Sequence, residues 1–198
     1  DLDGHGTAVA GVIGADGNNG QGVTGVNWAV SIMGLKVASP IFEGLLSSTA
    51  IISAHDYATM MRGRGFNVVA SNGSYGAFNQ AFYADFDNGI DGERAAIQRW
   101  QNAGGIFIAA AGNDSFDNDD PEFTHFPSSY NIPGMISVAA SDNNDGLAGF
   151  SNYGAETVDL AAPGVDLLTT AAGGGYFLFN GTSAAAPVVT GAVALLKA

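Results

Sequence analysis

The stretch GIFIAAAGND, Gly105–Asp114, decides the fold of this chain. Residues Gly105–Ala111 are apolar without polar alternation, which is typical of a parallel strand buried on both faces. The Gly-Asn pair that follows is typical of a turn, and a plain turn with no further role is the simpler interpretation. Ligands usually bind beyond the carboxyl ends of the strands of an open parallel sheet. The stretch therefore predicts a buried strand that brings Asn113 to such an edge.

The rest of the chain alternates similar apolar runs with segments of helical spacing. The other predicted strands are Ser31–Val37, Phe66–Ala70, Met135–Ala140 and Thr157–Ala161, and the predicted helices are Phe42–Arg62, Gly92–Ala103 and Thr182–Lys197. The acidic, polar segment Asn113–Tyr130 is interpreted as a surface loop. This alternation predicts an α/β fold, a parallel sheet with helices on both faces. No linker interrupts it, so we expect one domain over residues 1–198.

Composition excludes several classes of function. The chain has 198 residues, of which 46% are hydrophobic and 13% charged, and its net charge is −13. Such a surface repels phosphate backbones and anionic membranes, so nucleic acid and membrane contacts are not expected. With no cysteine, disulfides and thiol chemistry are ruled out. None of the glycine-rich turns has the spacing of a nucleotide-binding loop.

A serine lies at the predicted start of the last helix, in NGTSAAAP, Asn180–Pro187. Backbone N–H groups at a helix start are free, and together with the helix dipole they stabilise the oxyanion that forms when a serine attacks a carbonyl. Ser183 is therefore a candidate nucleophile. The simpler alternative is that Thr182 or Ser183 only caps the helix.

A histidine lies at the head of a second helix-like stretch, GHGTAVAGVIG, Gly4–Gly14. A neutral imidazole held at the end of an element can accept a hydroxyl proton, which makes His5 a candidate general base. The amide of Asn113 could donate to the same oxyanion as the Ser183 N–H. His55, in a helix, and His125, in a loop, have no such setting and are interpreted as structural.

The blocks HGTAVAG, AAAGND and NGTSAAAP, in that order, resemble the His, oxyanion-Asn and Ser blocks of the subtilisin-like proteases. GVTGV, NGSYG, FSNYG and LAAPG agree with the same family. The resemblance implies a three-layer parallel sheet flanked by helices, here truncated at both ends. It implies a serine endopeptidase that works through an acyl-enzyme, with Ser183 as the nucleophile, His5 as the general acid/base and Asn113 in the oxyanion hole.

The resemblance also implies substrate-binding segments. Ser74, Tyr75 and Gly76 match the edge along which the family lays an extended polypeptide, backbone to backbone. Ala109, Ala110 and Gly112 match a wall of the pocket for the side chain before the scissile bond. Small residues in that wall leave room for a large apolar side chain, and Asp114 at the mouth could accept a basic one.

The chain departs from the family in one respect that matters for activity. The family's aspartate belongs to an Asp-Thr/Ser-Gly block well before the histidine, and no such block is present. Asp1 and Asp3 are too close to His5 in sequence to replace it. We expect a fragment that is nearly inactive by itself. The alternative is a degenerate peptide-binding or structural module of the same fold.

No cofactor is needed for this chemistry, but calcium is a possible ligand. The loop ADGNNGQG resembles a family loop that binds calcium through oxygen atoms, and Asn19, Gln21 and Val23 match its ligands. Since further ligands come from the missing front segment, the site should be incomplete. The resemblance further implies polypeptide substrates and a secreted or cell-surface location, and it leaves the oligomeric state open.

Overall fold

The computed structural model describes residues 3–38, 46–78 and 92–198. The helices are α1 His5–Gly14, α2 Ser48–Gly63, α3 Gly92–Asn102 and α4 Thr182–Leu196. The strands are β1 Ala70–Gly73, β2 Ala77–Phe78, β3 Ile106–Ala110, β4 His125–Phe126, β5 Ile136–Ser141, β6 Leu160–Pro163, β7 Leu167–Thr170 and β8 Tyr176–Phe179. No helix in these ranges is long and apolar enough to cross a bilayer.

Four strands form a parallel sheet in the order β1-β3-β5-β6. Alternate side chains of β3 point to opposite faces. On one face Phe107 packs in a core with Ile97 and Trp100, whereas on the other Ile108 packs in a core with Ala185 of α4. Helices thus cover both faces, and the predicted three-layer α/β fold is confirmed.

The predicted elements agree best where the chain is buried on both faces. The strands at β3 and β5 and the helices α3 and α4 lie within a residue or two of the predicted bounds. At the sheet edges the predicted strands were placed too early in the sequence. β1 shares only Ala70 with the predicted strand Phe66–Ala70, and β6 shares only Leu160 and Ala161 with the predicted strand Thr157–Ala161. The start of the helix predicted over Phe42–Arg62, like Asp1, lies outside the described residues.

Two predictions for the irregular regions were wrong. Ser31–Val37 forms no strand, since residues 31–36 are exposed and no strand of the described ranges pairs with them. The segment Asn113–Tyr130 is not simply a surface loop either. It contains β4, which pairs with β2, and it buries His125, Phe126 and Tyr130. The aromatic side chains of this acidic segment are therefore part of the protein interior.

Helix α1, which carries His5, packs against α4 and against the β7–β8 hairpin. Two threonine hydroxyls attach it to β7, Thr169 Oγ1 donating to the carbonyl oxygen of Ala8 and Thr170 Oγ1 to that of Thr7, each over 2.8 Å. These bonds fix the position of α1 along β7, and therefore the position of His5, its first residue.

Candidate active site

Ser183 lies in the first turn of α4, beyond the carboxyl end of β1. The N-cap is Gly181, which has no side chain, so neither Thr182 nor Ser183 occupies the capping position. The interpretation of Thr182 or Ser183 as a simple cap is therefore wrong. Ser183 is half-buried, and its Oγ donates to the carbonyl oxygen of Ser74 over 3.4 Å, a long bond that leaves the hydroxyl easy to redirect. In return, Ser74 Oγ donates to the carbonyl oxygen of Ser183 over 3.0 Å.

The side-chain amide of Asn113 is held by the residue before the serine. Its Oδ1 accepts from the backbone N–H of Thr182 at 2.8 Å and from the Thr182 hydroxyl at 3.0 Å. A backbone N–H can only donate, so the atom facing Thr182 must be the amide oxygen. Asn113 is exposed, and no hydrogen bond of its Nδ2 occurs within the described ranges. The two N–H donors are thus left available beside the start of α4.

Thr182 and Asn152 hold the candidate site in place, and the sequence did not indicate this role for either. The Thr182 side chain is fully buried, and its Oγ1 also accepts from the N–H of Gly112 at 3.2 Å. Asn152 is fully buried as well, and its Oδ1 accepts from the N–H groups of Asp114 at 2.8 Å and Phe116 at 3.2 Å. Both residues clamp the turn that presents Asn113. Thr182 could have been found from its position next to the candidate nucleophile. For Asn152 the only sequence signal was that it belongs to the family-like segment FSNYG.

A second buried amide completes this clamp. Asn118 Oδ1 accepts from Asn152 Nδ2 at 3.0 Å, and Asn118 Nδ2 donates to the carbonyl oxygen of Ala111 at 2.8 Å. Both ends of the segment Ala111–Phe116 are therefore tied to one pair of buried side chains. Since an unpaired buried amide is costly, such a pair resists rearrangement.

The His5 imidazole is less constrained than the other two groups. Its ring lies edge-on to Phe179, with the centroids 5.6 Å apart, and it lines an open depression of about 390 Å³ together with Ala171, Ala172 and Phe177. No hydrogen bond within the described part of the chain joins the ring to Ser183 or to a carboxylate. The Asp3 carboxylate accepts the backbone N–H of His5 at 3.0 Å instead. Burial lowers the pKa of His5 below 6.5, and the Asp3 charge offsets part of this shift.

The matched substrate segments follow two paired strands. Gly73 at the end of β1 is in register with Ala109 of β3, and beyond this pair come Ser74, Tyr75 and Gly76 on one side and Ala110 and Gly112 on the other. The methyl groups of Ala109 and Ala110 belong to the two cores. Only the backbone of this wall is therefore left to face a substrate.

The loop matched to a calcium site offers oxygen atoms, though few of them. Asn19 Oδ1 already accepts the N–H of Gln21 at 3.0 Å, and both residues are exposed while Val23 is half-buried. Within the described residues, no three His, Asp or Glu side chains group closely enough to hold a metal. Calcium prefers six to eight oxygen ligands. The loop therefore fits part of a calcium site, and calcium binding stays a prediction.

The fold and the site together define a three-layer α/β protein with a serine at the carboxyl edge of a parallel sheet. A model of the subtilase family matches residues 1–198. The chain is 35% identical over 201 residues to alkaline elastase YaB of Bacillus sp. (strain YaB), and 36% identical over 198 residues to a thermophilic serine proteinase of Bacillus sp. (strain AK1). The chain belongs to the subtilase family.

These matches cover nearly all of this chain but only part of the relatives. They span 100% and 99% of the chain, and 46% and 43% of the two relatives. The crystal structure of a cold adapted subtilisin-like serine proteinase agrees in fold, with a TM-score of 0.78 at 30% identity, over 100% of this chain and 62% of that one. The chain thus spans less than half the length of the two relatives.

Proposed function

We propose that the protein is a serine endopeptidase that hydrolyses extended polypeptides through an acyl-enzyme, with Ser183 as the nucleophile. The observation that carries this proposal is the fixed amide of Asn113. Its oxygen is bonded twice to Thr182, and its amino group is left unbonded next to the helix start that holds Ser183. An amide donor beside a helix N-terminus is what an acyl-transfer oxyanion requires.

The chemistry follows from the roles of three groups. Ser183 Oγ attacks the scissile carbonyl as His5 accepts the hydroxyl proton, and the oxyanion is stabilised by Asn113 Nδ2 and the Ser183 N–H. The protonated His5 then donates that proton to the leaving amine. In the second half, water attacks the acyl-enzyme with His5 again as the base. The lowered pKa of His5 keeps the imidazole in its neutral, proton-accepting form near neutral pH.

The proposed substrate lies along Ser74, Tyr75 and Gly76 as an added strand. This segment follows β1, and Gly76 is exposed. Backbone pairing needs an extended peptide, so unfolded chains and exposed loops are the proposed substrates. Such substrates suit a secreted or cell-surface enzyme. Neither calcium nor another cofactor takes part in the proposed steps.

The 198-residue chain by itself is proposed to be nearly inactive. No carboxylate orients the His5 ring within the described residues, and in a Ser-His-Asp site the loss of that carboxylate costs ~10⁴ in rate. The same observation favours the second candidate, a peptide-binding module that kept the fold without turnover. The two candidates differ in whether Ser183 becomes nucleophilic once the protein is expressed at its full genomic length.

Labelling with a fluorophosphonate probe separates them. In the full-length protein we expect labelling at Ser183, identified by mass spectrometry, and its loss in Ser183→Ala and in His5→Ala. Ser53→Ala is a matched control, because Ser53 is an exposed serine of α2 whose hydroxyl only bonds the carbonyl oxygen of Thr49. Absence of labelling in the folded full-length protein would favour the module. Fast peptide hydrolysis by the isolated chain would contradict the proposed inactivity.

A further inference from the structure

The gap between the two proposed substrate segments is filled by a side chain. Gly76 and Gly112 each lie three residues beyond the last registered pair of β1 and β3, Gly73 and Ala109. A methyl group added at Gly76 would clash with His125 Cε1 and would lie 2.7 Å from His125 Nε2. One added at Gly112 would lie 3.0 Å from His125 Cδ2. One edge of the imidazole therefore spans the space between the two segments, with Nε2 in the middle.

The ring is held firmly in this place. The Ser128 hydroxyl donates to the carbonyl oxygen of His125 at 3.0 Å, so at Ser128 Oγ the ring acts as the donor, through Nδ1–H at 2.9 Å. Phe78 packs edge-on against the ring with the centroids 5.4 Å apart. His125 is only 5% exposed. Moving the imidazole aside would break the bond to Ser128 and open the contact with Phe78.

The neutral form of the ring fits this setting. Burial lowers the pKa of His125 to about 4, so Nδ1 carries the proton and Nε2 presents a lone pair near neutral pH. No other titratable side chain contacts the ring within the described residues. The imidazole therefore acts as a rigid, uncharged block between Gly76 and Gly112.

We propose that the His125 imidazole forms the floor of the pocket for the side chain before the scissile bond, and restricts that side chain to glycine, alanine or serine. The inference rests on the proposed peptidase function, which makes these two segments the walls of that pocket. A large apolar side chain, expected from the small wall residues alone, would have to enter the space that the ring occupies. His125 is thus a specificity-determining residue and not only a structural one.

The test uses the protein at full genomic length and tetrapeptide nitroanilides that differ only in the last residue, Ala, Leu or Phe. For the wild type we expect kcat/KM to be at least tenfold higher with Ala than with Phe. His125→Gly should bring this ratio to one or below by raising the Phe value. His55→Ala is a matched control, since it removes a second buried histidine, one that packs against Phe107 and not between Gly76 and Gly112, and it should leave the ratio between the three substrates unchanged.

Several results would overturn the inference. A wild-type preference for Phe or Leu would do so without any variant. An unchanged ratio in a folded His125→Gly or His125→Ala protein would also do so, and the alanine variant serves if the glycine variant fails to fold. Cleavage with the wrong preference refutes the pocket floor alone. Absence of cleavage together with absence of fluorophosphonate labelling refutes the peptidase function, and with it the role of His125 in a substrate pocket.

Discussion

Replacing Asn113 by aspartate separates the two tasks that its side chain performs. Its oxygen accepts from the Thr182 N–H and hydroxyl, while its amino group is the proposed oxyanion donor. Aspartate has the same shape and keeps the acceptor but loses the donor. Alanine removes both. The pair of variants therefore distinguishes a residue that only holds the start of α4 from one that also acts on the substrate.

The expected magnitudes follow from these contacts. Asn113→Asp retains the bonds to Thr182 and puts a negative charge at a helix N-terminus, so stability should hold or rise by about 0.3–1 kcal/mol. Asn113→Ala leaves two donors of the fully buried Thr182 without their acceptor, which should cost about 1–3 kcal/mol. Both should lose roughly 10²–10³ in kcat, a cost established on a subtilisin itself, and aspartate should lose more because its charge repels the oxyanion.

The assay measures kcat with a peptide nitroanilide on the full-length protein, and urea unfolding on the same preparations. An aspartate variant that is as stable as the wild type and inactive agrees with the reasoning. Two results would refute it. One is an aspartate variant retaining more than about a tenth of the wild-type kcat, which would exclude Asn113 as the oxyanion donor. The other is an aspartate variant as unstable as the alanine one, which would mean that Oδ1 does not face Thr182.

Three further predictions concern His5, His55 and Asn152. The His5 ring should titrate below pH 6.5 in an NMR titration, and Asp3→Asn should lower its pKa further, because the Asp3 charge favours the imidazolium; a midpoint above 6.5 would contradict the burial argument. Burial lowers the pKa of His55 to about 4, so the unfolded chain binds the extra proton between pH 6.5 and 4. His55 alone should therefore lower the free energy of unfolding by about 3 kcal/mol as the pH falls through that window, in addition to the contribution of the buried His125. Unfolding experiments at each pH should show a fall smaller by that amount in His55→Leu. Asn152→Ala leaves the N–H groups of Asp114 and Phe116 without their acceptor, and should lower the free energy of unfolding by about 2–4 kcal/mol and kcat more than KM; an unchanged kcat in the folded variant would show that the turn holds Asn113 without this clamp.

Sequence patterns predicted the parts of the fold that are decided locally. Gly105–Ala111 is apolar throughout because β3 is buried on both faces, and the helix with Ser183 at its head begins at Thr182 as predicted. Ser31–Val37 is also mostly apolar, although it contains Ser31 and Lys36, but a strand exists only beside a partner, and sequence does not reveal the partner. The positions of Ser183 and Asn113 were predictable for the same local reason, since each lies at the end of a strongly patterned element.

What the sequence could not predict depends on contacts between distant segments. His125 occurs in an acidic segment with no regular pattern, and only the pairing of β4 with β2 carries its ring to the space between Gly76 and Gly112. The clamp of Asn152 on the turn after β3 joins residues 38 and 36 positions apart. Polar pairs of this kind leave no periodic signal, because their partners are chosen by the tertiary fold.

The three proposed catalytic groups differ in how they are held, and this difference bears on what a carboxylate at the His5 imidazole would do. Thr182 and Ser183 are consecutive, so the bonds from Thr182 to Asn113 couple the oxyanion donor to the nucleophile. A displacement of one carries the other with it. Among the described residues, the packing of α1 on α4 and the threonine bonds to β7 fix the backbone of His5, and its ring is held by the edge-on contact with Phe179 without a hydrogen bond. A carboxylate on the imidazole would supply the one constraint that the described residues lack. Its loss should therefore lower turnover by misorienting the base, while the oxyanion donor and the serine keep their relative geometry.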